Sequence, residues 1–228
     1  MADVTLWLPT RRAILAMQSA FRRQGGRDMV LPRLRALNIG DGEEDDLLFE
    51  EEVDGTPVVS DLARLLYLMR QVQLKDKRQS VEQAFENTTA LMQLFDRLVN
   101  YDVPFEDLKN LVPADVASHW QINMDFLRIV LEFYPQWLEE EGKIDAATHR
   151  RHLLNIQANT YKNRPPEGLV VAAGFADTTP AGEEILRAIM GLENGMLILP
   201  GIADTQHLKA DMPPTHPLYA PARLLRRL

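Results

Sequence analysis

The sequence predicts an α/β protein in which a parallel-sheet domain is split into two parts by a large all-helical insertion. Two groups of observations predict it. Short apolar runs that suit buried strands stand near both ends of the chain, at Val4-Thr5-Leu6-Trp7-Leu8, Leu169-Val170-Val171-Ala172-Ala173 and Met196-Leu197-Ile198-Leu199. Between them, from about Ser60 to Asn163, long helical periodicities take over without a convincing strand. The implied division is 1–57 as the first part of the α/β domain, 58–165 as the helical insertion and 166–228 as the second part.

The first strand closes at Pro9, and Ile14, Met17 and Phe21 then recur at helical spacing until Gly25-Gly26 stops the helix. Met29-Val30-Leu31 is a second strand candidate, followed by an irregular arginine-bearing stretch and an acidic solvated loop from Asp41 to Asp54. In the helical block, Leu62, Leu65, Leu66, Met69 and Val72 mark one face, and Ser80 with Gln83 forms a capping box for a helix through Leu98. Ile122, Phe126, Ile129, Phe133 and Trp137 mark a further helix with a kink expected at Pro135. Gly142 ends it, Asp145 caps the next, and Pro165-Pro166 closes the block. Beyond it, strand, Pro180-initiated helix and strand make a βαβ unit, so the sheet is expected to be parallel.

Composition is that of an ordinary globular protein, with 46% hydrophobic and 25% charged residues. No apolar run is long enough to span a membrane and no signal-peptide layout opens the chain, so the expected location is cytoplasmic. The chain has no cysteine, which excludes disulfides, thiolate zinc sites and iron–sulfur ligation within these residues. A net charge of -8 argues against nucleic-acid binding when taken alone, but the charge is polarised. Seven arginines and one acid lie between Thr10 and Gly40, whereas nine acids and no base lie between Asp41 and Asp54.

A phosphate-binding loop needs glycines, then lysine and a hydroxyl, and nothing here supplies that order; Gly142-Lys143 is followed by Ile144. Nucleophile elbows, metalloprotease helices and dinucleotide fingerprints are missing too, so catalysis is not expected from these residues. His149 and His152 share a helix face beside Arg150 and Arg151 and read as a surface pair, with no metal site expected.

Three strings carry more information. They are Thr5-Leu6-Trp7-Leu8-Pro9-Thr10-Arg11-Arg12-Ala13, then Val171-Ala172-Ala173-Gly174-Phe175-Ala176-Asp177-Thr178-Thr179-Pro180, then His216-Pro217-Leu218-Tyr219-Ala220-Pro221-Ala222-Arg223-Leu224-Leu225. In order and spacing they resemble the N-terminal region of the AddB subunits of AddAB helicase–nucleases, in the divergent form without a Walker A motif. His119-Trp120 and Phe126-Leu127-Arg128-Ile129-Val130 are similar to the helical part of that family. The resemblance implies a RecA-type, P-loop NTPase-like helicase fold and an ATPase-inactive module. That module would guide or inspect single-stranded DNA during end resection for homologous recombination and double-strand break repair.

The implied partners are an AddA-type helicase–nuclease subunit and single-stranded DNA. The family's iron–sulfur cluster and metal-dependent nuclease belong to a region absent from these residues, so no cofactor is expected here, and the chain reads as part of a longer protein. Leu8 to Ala13 match the turn that touches single-stranded DNA, which makes Thr10, Arg11 and Arg12 DNA-binding candidates. Ala173, Gly174, Phe175, Thr179 and Pro180 match a Walker B-like turn in degenerate form, because Ala173 replaces the metal-holding acid and Asp177 lies past the turn.

Helix N-termini attract phosphate and paired arginines add charge-assisted contacts. The plainer alternative makes Thr10 an N-cap beside solvated arginines. Arg22 and Arg23 join the DNA-binding set, although cations near a helix C-terminus are favourable without a ligand. Trp7 is expected in the core. The competing function is a protein–protein interaction module of a repair complex, docked through the helical insertion without DNA contact.

Overall fold

The computed structural model of the protein describes residues 3–25, 30–38, 55–104, 126–202 and 212–228. The chain divides into two compact units, one formed by Met1–Glu51 with Leu153–Leu228 and the other by Glu52–His152. The acidic stretch 41–54, the His119-Trp120 pair and Ile122 lie outside the described residues.

The first unit is α/β. Its strands β1 (Thr5–Thr10), β2 (Arg33–Asn38), β3 (Val170–Ala173) and β4 (Gly195–Ile198) form one parallel sheet in the order β2-β1-β3-β4. Helix α1 (Arg11–Gly25) connects β1 to β2. Alternation along the strands sends side chains to opposite faces. Leu6 and Leu8 join Val171 on one face, where α1 contributes Ala13, Ile14, Met17 and Phe21. Trp7 points the other way, into the larger core with Val170, Ala172, Ile185, Leu186 and Leu224. The bulk of that core explains why Trp7 is wholly buried, as expected of a core residue. Its indole Nε1–H donates to the Tyr161 hydroxyl at 3.0 Å, which satisfies the ring's polar group inside the core.

The second strand differs from its expected position. Val30 and Leu31 are outside any strand, and the arginine-bearing stretch Arg33–Asn38 pairs with β1 from Thr5↔Arg33 to Thr10↔Asn38. Pro32 has no N–H for a ladder, and β2 is an edge strand where arginine stems can lie along apolar surface while their heads reach outward. Arg35 does so over the Trp7 ring at 5.6 Å and donates to Gln157 Oε1.

The second unit contains α2 (Asp61–Lys75), α3 (Val81–Asn100), a π-helical turn (Ile129–Phe133) and α4 (Tyr134–Glu140). Helix α5 (Ala146–Asn163) follows, with residues 146–152 in this unit and 153–163 in the other. The Ser80 capping box is formed in both directions. The helix runs without a break from residue 126 through the π-helical turn into α4, and Pro135, where a kink was expected, stands just past that turn, whose wider hydrogen-bond spacing accommodates a residue without an N–H. Gly142, at φ +63°, stops α4 as expected of a left-handed C-terminal residue. One isolated bridge joins Val58 to Ile144, with the Val59 and Ile144 N–H groups donating to the Ile144 and Pro57 carbonyls.

In the first unit, α6 (Pro180–Met190) connects β3 to β4, opened by Thr179, whose Oγ1 accepts from the Gly182 N–H. Helix α7 (Tyr219–Arg227) follows and buries Leu224 in the main core.

Candidate functional site at the carboxyl ends of the sheet

In an open parallel sheet, the crevice lies beyond the carboxyl ends of the strands where successive connections depart in opposite directions. Here β1 proceeds through α1 to β2 on one side, and β3 proceeds through α6 to β4 on the other. The divergence falls between β1 and β3. Pro9 and Thr10 end β1, and Gly174 follows the last residue of β3. At φ +84° Gly174 adopts a conformation that glycine tolerates, and its N–H donates to the Ile198 carbonyl at 2.9 Å. A Cβ at Gly174 would stand 3.7 Å from the Pro9 ring, so the two turns are neighbours.

The Thr10 hydroxyl accepts from the Ala13 N–H at 3.2 Å, so this residue caps α1. Arg11 and Arg12 occupy the first turn of α1 and are exposed, with no acid in that turn. The opposite turn holds little charge for a ligand. Ala173 contributes no carboxylate, and Phe175 is fully buried in the main core. Thr179 and Pro180 form the start of α6. Asp177, the acid beyond the turn, is bound to α7, at 3.2 Å from Arg223 and 2.7 Å from Arg227. Arg227 also pairs with Glu183 at 2.9 Å, and Arg187 donates to the Arg227 carbonyl. These contacts hold the acid in ion pairs with α7, and the Gly174-Phe175 turn has the form of a tight strand exit packed through Phe175.

Arg22 and Arg23 lie in the last turn of α1. Because α1 returns antiparallel to β1, they stand at the amino end of the sheet, away from Arg11 and Arg12. The structure therefore sets the Pro9 turn beside Gly174, with Thr10 capping and Arg11 and Arg12 opening the helix that leaves it, and separates Arg22 and Arg23 from them by most of a helix length.

The helical unit contains a buried polar cluster that the sequence pattern did not single out. Tyr134 donates its hydroxyl to Asp145 Oδ2 at 2.5 Å, while Asp145 Oδ1 accepts from the Ala147 N–H at 2.8 Å. Arg64 stands 3.4 Å from the same carboxylate and donates to Asp96 Oδ1 at 2.7 Å and to the Met92 carbonyl. Burial opposes the Arg64 charge, but its bond to Asp96 and the field of Asp145 outweigh that cost and raise its pKa. Burial, then the adjacent Asp145 charge, push the Tyr134 hydroxyl far above its usual range. The expected cap at Asp145 thus also anchors a buried ion cluster. The face read from the sequence, Leu62, Leu65, Leu66, Met69 and Val72, did not include Arg64; the structure turns α2 so that Arg64, Leu68 and Val72 are buried and Leu62 and Leu66 are exposed, because the arginine finds its carboxylate partners inside the unit.

A cavity of about 560 Å³ in the same unit is lined by Phe95, Val99, Leu138, Asp145, Thr148 and Arg151. Its arginine already pairs with Asp102 at 2.7 Å, and its buried carboxylate belongs to the cluster above. Among the described residues, no group of three His, Asp or Glu side chains is placed to hold a metal ion. His152 is exposed and His149 half-buried. No described helix is long and apolar enough to cross a membrane. Comparison with protein-family models and with curated proteins finds no match to this chain.

Proposed function

We propose that this chain is an ATPase-inactive, helicase-like module of an AddB-type helicase–nuclease subunit, which guides or inspects single-stranded DNA during recombinational end resection. One observation carries the proposal. The Pro9-Thr10-Arg11-Arg12 turn stands at the carboxyl end of the first parallel strand, beside the Gly174 turn at the point where the sheet connections diverge. In α/β sheets this is the ligand-binding position, and a helix N-terminus carrying two arginines suits a phosphodiester backbone. The missing phosphate loop, Ala173 and the engagement of Asp177 with α7 support binding without nucleotide hydrolysis. On this proposal the helical unit is the insertion of a split helicase-type domain, and an AddA-type subunit supplies translocation. No cofactor is assigned to these residues, and the site of action is the cytoplasm.

The test is fluorescence anisotropy with a labelled single-stranded oligonucleotide at low salt. Arg11→Glu with Arg12→Glu should weaken binding at least tenfold, since it reverses two charges beside the backbone. Unchanged affinity, or ATP hydrolysis by the purified chain, would refute the proposal. A second function, docking of a protein partner, draws support from exposed apolar pairs one helical turn apart on the helical unit. Leu62 and Leu66 on α2 are 64% and 58% exposed, and Val81 and Phe85 on α3 are 62% and 48% exposed. Substituting those four with serine should abolish partner binding and leave DNA binding intact if both functions hold.

A further inference from the structure

The outer face of α1 repeats its charge after three turns. At 3.6 residues per turn, an interval of eleven residues returns to within about 20° of the starting direction and advances about 16 Å. Arg11 and Arg22 are eleven residues apart, and so are Arg12 and Arg23. All four are exposed, and α1 contains no acidic residue. The opposite side of the helix carries Ala13, Ile14, Met17 and Phe21 onto the sheet, against Leu6, Leu8 and Leu34. Leu15, 56% exposed, and Ser19 lie between the two arginine pairs on the outer side. The two pairs therefore flank one continuous surface strip along the helix axis.

We propose that this strip is a track for the phosphodiester backbone of a single nucleic-acid strand, running along α1 from the carboxyl end of the sheet to its amino end. The inference rests on the function proposed above and extends it from a contact at one turn to a route for the strand. Charge complementarity identifies the occupant. Four cations without a carboxylate on the same helix suit a regular polyanion, and no stretch of mixed charge would use all four. A strand stacked at roughly 3.4 Å per nucleotide crosses the 16 Å interval in about five nucleotides, within the footprints of single-strand binding sites. Guanidinium groups at the two ends can then each take a phosphate, with Leu15 beneath the intervening sugars.

Salt titration of the full chain with a labelled thymidine oligonucleotide of about fifteen residues tests the track. Each phosphate neutralised on a single strand contributes about 0.7 to the slope of log affinity against log salt. Four contacts give a slope of about -2.8, and Arg22→Glu with Arg23→Glu should reduce it to about -1.4. Arg22→Lys with Arg23→Lys should keep the full slope. Ser19→Glu, which removes no arginine, should weaken binding by placing a carboxylate within the strip.

Circular dichroism confirms that each variant keeps its helices, and the lysine and Ser19 variants retain the test if the double glutamate variant unfolds. Wild-type binding that is lost with Arg11→Glu and Arg12→Glu but indifferent to every change at positions 19, 22 and 23 would overturn the track and leave the proposed function standing. Absence of any DNA binding by the wild type would overturn both. Competition by polyglutamate as strong as that by the oligonucleotide would assign the strip to an acidic protein segment instead and overturn the inference.

Discussion

Replacing Tyr134 with phenylalanine isolates one hydrogen bond in the core of the helical unit. The hydroxyl donates to Asp145 Oδ2 at 2.5 Å, and both residues are inaccessible or nearly so, at 0% and 1% exposure. The phenyl ring retains its edge contact with Phe95, whose centroid is 5.1 Å away, so packing changes little. A hydrogen bond to a charged group contributes about 1.5–3 kcal/mol, and here its loss leaves a buried carboxylate oxygen facing Arg64 alone. The expected destabilisation is about 2 kcal/mol at neutral pH, or about 10 °C in midpoint for a unit of this size.

The sign with pH follows from the raised Tyr134 pKa. A tyrosine whose folded value exceeds its unfolded value of about 10 contributes its full stability below that value and loses it as pH rises toward the folded value. Wild type should therefore lose up to about 1.4 kcal/mol per pH unit above pH 10 from this residue, a loss absent from the variant. Tyr67 and Tyr161, also raised by burial, keep their own alkaline sensitivity in both proteins. Urea unfolding, followed by hydrogen exchange in peptides from Glu52–His152, measures the difference at neutral pH and again at about pH 11. A neutral-pH loss below about 0.5 kcal/mol, or a gap between the proteins that does not shrink in alkali, would refute the assigned bond.

Tyr161→Phe in the α/β unit should cost about 1–3 kcal/mol by stranding the buried Trp7 indole N–H, and pairing it with Trp7→Phe should recover part of that loss in a double-mutant cycle. Ser80→Ala should cost about 1 kcal/mol through the start of α3, read as faster exchange of the Gln83 amide; an unaltered rate would deny the capping box a role.

Strand alternation, caps and stops were legible in the sequence wherever a signal acts within a few residues. Leu6-Trp7-Leu8, the Ser80 box, Gly142 and the Thr179-Pro180 start each describe their own local geometry, and the parallel βαβ unit followed from the short strand–helix–strand spacing. β2 was harder because an edge strand tolerates arginine, so Arg33 and Arg35 interrupted the apolar run of Leu34, Ala36 and Leu37, whose members pack on opposite faces of the sheet. At the candidate site, Thr10 and the paired arginines could be named from the sequence, but their neighbour Gly174 is more than 160 residues away, and only pairing of β1 with β3 brings the turns together.

Asp177 illustrates the same division from the other side. Its charge and its place past the turn were visible in the sequence, whereas its engagement by Arg223 and Arg227 depends on α7 returning to the end of β3. Arg64 and Asp145 likewise carry ordinary polar identities, and their burial together is a property of the packed helices. Caps, stops and periodicities act over one or two turns, so the local elements could be read along the chain. Which distant groups meet was decided by tertiary structure, since ion pairing and desolvation depend on separations in space that no short interval along the chain encodes.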